Sequence, residues 1–318
     1  MRVGHNPARF VEKVAQPAEI TVAVVNCIPF LSGYYEQSLD VLKACITSIH
    51  ENTPEAHDLI VFDNRSCREV RAYLQSAYEQ GMIQYLVLSD TNIGKIGAWN
   101  FLFGAAWGKY VVFADGDIGF RPGWLRASLD LFEAFPNVGM VTARPLRSPM
   151  EYSSATLDWA CQQTPGVYEA GQFLDWDCYW EHARSTGYTE ERAREEFPKG
   201  CDHRLVYHGQ TAFVGATHFQ FMAPGELLKQ IIPLPSEQPM RGERALDVEI
   251  NKLGCLRLLT DAPYVWHMGN TLAVPARSDT AVLKRKSLLQ RLLWMPFIRR
   301  PLLWLNNRIF HLYFFNVD

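Results

Sequence analysis

The chain has 318 residues, 48% of them hydrophobic and 20% charged, a globular composition long enough to bury most of the surface its unfolded form exposes. Its 31 basic and 34 acidic residues leave a formal net charge of -3, which excludes the basic surplus of a general nucleic-acid binder. Seven scattered cysteines, never in CxxC spacing, argue against structural zinc and a disulfide framework; no signal-peptide core or bilayer-length apolar run is visible, so the sequence predicts a cytoplasmic protein.

Residues 1–18 read as a loose arm. "ITVAVVNCI" from Ile20 is a near-continuous β-branched run, the pattern of a strand buried on both faces in a parallel sheet. "SLDVLKACITSIHEN" then places Leu39, Leu42, Ile46 and Ile49 on one helical face. "DLIVFDN" is a second strand ending near Asp63, "REVRAYLQSAYEQG" a helix stopped by Gly81, and "IQYLVLSD" a third strand before the turn "TNIGKIG". "AWNFLFGAAWG" is a third helix and "KYVVFADGD" a fourth strand. Alternation this regular predicts an α/β fold, a doubly wound, mostly parallel sheet, with ligands beyond the carboxyl ends of its strands. Asp63, the Asn92–Lys95 turn and Asp115–Asp117 all fall at those ends.

From about Met150 to His208 the pattern degrades into aromatics, acids and histidines, read as an inserted, partly helical subdomain. "TAFVGATHFQFMAP" returns to strand character, "ERALDVEINKLG" is a helix ending at Gly254, and "CLRLLTDAPYVWHMGN" holds one or two further strands. The tail from residue 276 is aromatic, leucine-rich and basic. Its Lys284–Lys286 and Arg299–Arg300 clusters among Trp294, Phe297 and Trp304 fit two arrangements: a helix lying on an anionic membrane, or a helix pair packed on the catalytic domain or a second subunit.

The stretch "VVFADGDIGFRPGW" closes a buried-looking strand with Asp115 and Asp117 around Gly116. On an extended backbone the two carboxylates share a side, and like charges that close repel unless something positive separates them. A hard divalent cation supplies that charge and keeps coordination positions open for phosphate oxygens. The bland reading is an acidic β-turn.

Taken in order, "LIVFDNRSC", "NIGKIGAWNFLFGAAWGKYVVFADGD", "RPGWL", "ERALDVEINKLG" and "YVWHMGN" resemble the family 2-like glycosyltransferases of GT-A fold, strongly over about Ile20–Pro149 and more loosely over Thr211–Asn270. The resemblance implies an enzyme moving a sugar from a nucleotide-diphosphate sugar to a glycan, lipid-linked or protein acceptor, with inversion and with Mn²⁺ or Mg²⁺. It implies donor contacts from Asn26, Asp63, Asn92, Lys95 and Asp115, with Asp63 accepting from the nucleobase, and a metal held by Asp115, Asp117 and His267. After the first strand the family's Pro-Thr-x-Asn is replaced by "VVNCIPFLSGYY", so UDP, GDP and dTDP stay open as donors. The corresponding parts are an arm (1–18), a nucleotide-sugar half (19–150), an acceptor-side insertion (151–208), an acceptor- and metal-completing half (209–275) and a helical tail (276–318), the last a candidate surface for membrane contact or a homodimer.

An acceptor hydroxyl is a poor nucleophile at neutral pH, so a carboxylate must take its proton during attack. Glu243 and Asp247 share a helical face, and Glu243, at the family-like spacing before His267, is the favoured base with Asp247 the runner-up. In the insertion, Trp176, Tyr179 and Trp180 either stack on an acceptor sugar, with Asp175 or Asp177 bonding hydroxyls, or form a small core; His203, His208 and His218 are unassigned. The rival classes are a nucleotidyltransferase, whose Gly-rich basic signature after the first strand is missing, and a non-catalytic nucleotide- or carbohydrate-binding protein.

Overall fold

Val22 and Val24 turn to one face of a central sheet, Ala23 and Val25 to the other, and all four are buried. That is why the first strand reads as an unbroken apolar run rather than an alternating one. The structure, a computed structural model, describes residues 4–236 and 242–272, with Pro301, Trp304, Leu305 and Arg308 beyond them. The rest of the 276–318 tail, including Lys284–Lys286, Trp294, Phe297 and Arg299–Arg300, lies outside the described residues. Met1–Leu272 form one compact unit, and no described helix is long and apolar enough to cross a membrane.

The strands are β1 (Ile20–Asn26), β2 (His57–Asn64), β3 (Tyr85–Ser89), β4 (Tyr110–Asp115), β5 (Ile118–Phe120), β6 (Val138–Thr142), β7 (Tyr168–Gly171), β8 (Asp202–Tyr207), β9 (Gln210–Val214), β10 (Gln220–Pro224), β11 (Leu256–Thr260) and β12 (Val265–His267). The helices are α1 (Ser38–Asn52), α2 (Arg68–Glu79), α3 (Gly94–Ala105), α4 (Trp124–Ala134), α5 (Ser154–Cys161), α6 (Trp176–Ser185), α7 (Glu190–Glu196), α8 (Gly225–Ile231) and α9 (Arg244–Lys252). The main sheet runs β3-β2-β1-β4-β10-β6-β11-β9-β8-β7. β3, β2, β1 and β4 are parallel, as the strand–helix alternation predicts, and β6 pairs parallel with β11. β10 lies antiparallel between β4 and β6, and β9, β8 and β7 continue antiparallel to the far edge. Two strands of the inserted region therefore extend the main sheet.

One face is covered by α1, α2 and α4, which bury Leu42, Ile46, Ile49, Val70, Leu74, Trp124 and Leu125 against Val22, Val24, Val112 and Ala114. The other is covered by α3, α8 and α9, where Trp99 packs edge-on against Phe113 at 5.2 Å and Phe221 at 5.7 Å. Covering both faces fixes register, because a one-residue slip would exchange them. The parallel register brings Asn26 beside Asp63 and Val25 beside Asp115, so the polar ends of β1, β2 and β4 form one ledge.

A second, two-stranded sheet joins β12 to β5, with His267 opposite Ile118 and Trp266 opposite Gly119. A Cβ on Gly119 would lie 2.3 Å from the Trp266 ring, so only glycine lets the indole close over β5. This small sheet carries His267 back to the Asp115–Asp117 turn.

Candidate functional site

The opposing charges that the paired carboxylates require come first from the protein itself. β4 ends at Asp115, the chain turns at Gly116–Asp117, and the two carboxylates take different partners. Asp115 Oδ2 receives Lys95 Nζ at 2.7 Å, while Asp117 Oδ2 faces His267 Nε2 at 3.2 Å. Met268 N–H also donates to the Asp117 carbonyl at 2.8 Å, locking the turn to the end of β12. Glycine at 116 lets the turn pack closely: a Cβ there would stand 3.1 Å from Asn26 and Leu42 carbons. Lys95 sits in the first turn of α3, with its ammonium 5.3 Å from the Phe113 ring centre and 5.5 Å from that of Trp99.

Burial pushes the Asp115 carboxyl up to about 6; Lys95 opposes the shift and Asp117 adds to it. Burial lowers the His267 imidazole, but the Asp117 hydrogen bond and charge outweigh it, so its pKa is raised overall. Asp117 Oδ1 is buried with no hydrogen-bond partner. An orphaned carboxylate oxygen next to an imidazole nitrogen is a donor set that suits Mn²⁺ or Mg²⁺. Among the described residues no group of three or more His, Cys, Asp or Glu gathers as a ready cage. Asp117 and His267 could hold an ion with the remaining positions left to ligand oxygens, while Asp115 is turned to Lys95.

Below the turn lies Cys45 of α1, fully buried, its thiol 3.9 Å from the Asp115 carbonyl and raised far above its usual range, mainly by burial.

On the β1–β2 side, Asp63 is fully buried. It accepts from Asn26 Nδ2 at 2.9 Å, from the Ser66 N–H at 3.2 Å and from Arg71 Nε at 3.1 Å. The Asp63 oxygens, expected to accept from a nucleobase, are here enclosed and engaged with protein donors. Asn26 is left with a buried, unpartnered Oδ1. Asn64, which sequence reasoning passed over, ties β2 to the Asn92–Lys95 turn by donating to Asn92 Oδ1 at 2.9 Å and accepting the Ile93 N–H at 2.9 Å. Asn92 Nδ2 reaches Cys27 Sγ at 3.5 Å, and burial, then Asp63, pushes that thiol up to about 11.

Asp247, the runner-up base, is enclosed as well. It is fully buried, with Oδ1 2.6 Å from Arg257 Nη2 and 2.9 Å from His218 Nε2, and Oδ2 2.9 Å from Arg244 Nη1. Burial would raise its carboxyl, but the His218 hydrogen bond and the Arg257 charge hold it below the carboxylate range. Such a group is the counter-ion of a buried arginine. Glu243 immediately precedes α9 and is only partly buried.

Helix α6 of the insertion reaches the site, which the sequence did not reveal. Asp175 caps it through the Cys178 N–H at 2.8 Å, and Trp176, Trp180, Tyr179 and Phe197 pack into a small aromatic core. At its far end His182 lies over Phe219 with ring centres 5.4 Å apart, burial pushing its imidazole down to about 3. Ser185 Oγ meets His267 Nδ1 at 3.1 Å. A cleft of about 310 Å³ opens here, lined among others by Arg147, Tyr179, His182, His218, Phe219 and Arg244. Of the unassigned histidines, His218 thus joins Asp247, while His203 bonds Tyr168 Oη at 2.7 Å and His208 stacks on Tyr207.

Residues 32–198 match the family described as glycosyl transferase family 2, and the chain belongs to that family. Its α/β sheet, wound on both faces and parallel through β3, β2, β1 and β4, is the fold class that the sequence predicted. A curated protein from Nostoc sp. called an uncharacterized glycosyltransferase is 26% identical over 161 residues, 49% of each chain, so the present chain spans about half that relative's length. Among solved structures, a mannosyltransferase from Pyrobaculum calidifontis in complex with GDP-Man and Mn²⁺ is similar at 16% identity and TM-score 0.44 over 81% of this chain and 60% of that one. Residues 1–349 of TarS from S. aureus are similar at 13% identity and TM-score 0.46, over 79% and 60% of the two chains.

Proposed function

We propose that this chain is a metal-dependent, inverting glycosyltransferase that moves a sugar from a nucleotide-diphosphate donor to an acceptor hydroxyl. The observation that carries the reading is the turn after β4: Asp117 keeps an unpartnered buried oxygen beside His267 Nε2, and Asp115 with Lys95 stands next to it on the ledge where β1 and β2 also end. Residues 19–150 are then the donor half, and the 151–208 insertion with residues 209–275 forms the acceptor side.

In this reading Asp117 and His267 hold Mn²⁺ or Mg²⁺, which when bound offsets the charge developing on the departing diphosphate. Lys95 brings a second positive charge to the same edge, held in place by Asp115. Asn26 and Asn92 face the nucleoside, Asp63 acting through Asn26 by holding its amide. Glu243 takes the acceptor proton from the side of the 310 Å³ cleft, to which its neighbour Arg244 belongs. Attack from the face opposite the leaving group inverts the anomeric carbon.

A thermal-shift panel of UDP-, GDP- and dTDP-sugars with and without Mn²⁺ tests this, because a ligand specific to the folded state raises the melting temperature. One nucleotide is expected to give a metal-dependent rise that Asp117→Ala abolishes. Absence of any rise, or a rise without donor turnover, would move the chain to a non-catalytic binding role.

A further inference from the structure

We infer that Ser185, at the end of α6 in the insertion, is a positioning residue that fixes the tautomer of His267 and so presents Nε2 as the metal-binding nitrogen. The inference rests on the metal reading above and concerns residues that reading leaves without a role.

A serine hydroxyl has one proton to give and lone pairs to receive. Ser185 Oγ lies 2.7 Å from the His182 carbonyl, one turn back along α6, and a carbonyl only accepts, so the hydroxyl proton is spent there. The same Oγ lies 3.1 Å from His267 Nδ1, and the only bond left to that pair is Nδ1–H donating to Ser185. In the neutral ring the lone pair is therefore on Nε2, the nitrogen 3.2 Å from Asp117 Oδ2. Two electron-pair donors then face one another in the neutral ring, an arrangement that protonation of Nε2 or a bound cation relieves.

The rest of α6 braces this geometry. Glu181, one turn before Ser185, bridges Arg121 at 2.5 Å and the fully buried Arg144 at 2.6 Å. Arg121 donates to the Pro263 carbonyl at 2.6 Å and Arg144 to the Val265 carbonyl at 3.0 Å, so the same helix face holds both the backbone leading into β12 and the ring at its end. Phe219 and His182 wall the imidazole at ring-centre distances of 6.1 Å and 6.3 Å. The insertion thereby becomes the support of the metal histidine as well as one wall of the acceptor cleft.

Long-range ¹H–¹⁵N correlation on the full chain with ¹⁵N-labelled histidine, metal-free and at alkaline pH where the ring is neutral, reads the tautomer directly, and His267→Gln identifies the signal. The Nδ1–H form is expected in the wild type, a shift toward Nε2–H or a mixture in Ser185→Ala, and recovery in Ser185→Thr. Mn²⁺ affinity, followed by electron paramagnetic resonance, should fall about 10- to 100-fold in Ser185→Ala and return in Ser185→Thr. An Nε2–H ring in the wild type, or a Ser185→Ala protein with unchanged tautomer and Mn²⁺ affinity, would overturn the inference. If the wild type shows the Nδ1–H form that Ser185→Ala disturbs but binds no Mn²⁺, the metal reading fails while Ser185 keeps its effect on the ring.

Discussion

Arg65 follows Asp63 and Asn64 on the β2 ledge and holds φ at 69°, a left-handed conformation that costs a side-chain-bearing residue on the order of 1–2 kcal/mol. Arg65→Gly is expected to stabilise the fold by about 1 kcal/mol, less glycine's own entropy cost, seen as a higher urea midpoint at unchanged slope. An unchanged or lower midpoint would mean that the guanidinium holds the ledge together. At Gly119 the sign reverses. Even a methyl meets the Trp266 ring at 2.3 Å, so Gly119→Ala should destabilise by about 1–3 kcal/mol and weaken Mn²⁺ binding by displacing β12. Single residues divide sharply in how far the sequence discloses them. Asp117 and His267 were legible because an acidic strand end and an aromatic-flanked histidine have local signatures. Ser185 was not, since its partner is 82 positions away and a serine ending a helix looks like any other.

At the scale of elements, α9 and β11 are joined by the buried Asp247–Arg257 pair, with His218 and Arg244 around it. Removing one partner strands the other charge, so Asp247→Asn should cost about 3–5 kcal/mol. The folded-state carboxyls of Asp247, Asp202 and Glu181 all lie below their ordinary values, burial being outweighed by hydrogen bonds and arginine charges. A lowered folded pKa gives stability that is present above the unfolded value, about 3.9 for Asp, and is lost as pH falls through the folded one. Urea midpoints should therefore fall below about pH 4, less steeply in Asp247→Asn; matching slopes would show that Asp247 is not among the groups responsible. The helical spacing of Glu243 and Asp247 was readable, yet the enclosure of Asp247 depended on Arg257, a residue of another element. β7 and β8 were hidden for a related reason. At the sheet's edge β7 has no buried position and β8 mixes buried with exposed ones, and neither carries the unbroken apolar run of β1 or a clean alternation.

For the whole molecule, the parallel half was legible because burial on two faces leaves the same mark on β1, β2 and β4, and because their amphipathic crossover helices follow at once. The antiparallel insertion of β10 between β4 and β6 was not, since pairing order is settled by contacts distant in sequence. The core should behave accordingly: Phe113→Ala, in the centre of the α3 side, is expected to cost about 3–5 kcal/mol in urea unfolding, and a loss under 1 kcal/mol would contradict the close packing of Trp99, Phe113 and Phe221. Cys45 turns this close packing into a gauge. Its sulfur cannot meet a thiol reagent until α1 parts from β4 beneath the acidic turn, so its labelling rate, read by mass spectrometry apart from that of exposed Cys161 and Cys201, counts how often the floor of the site comes open. Whatever occupies the ledge above should slow that clock, and a nucleotide that leaves it running unchanged is resting somewhere else.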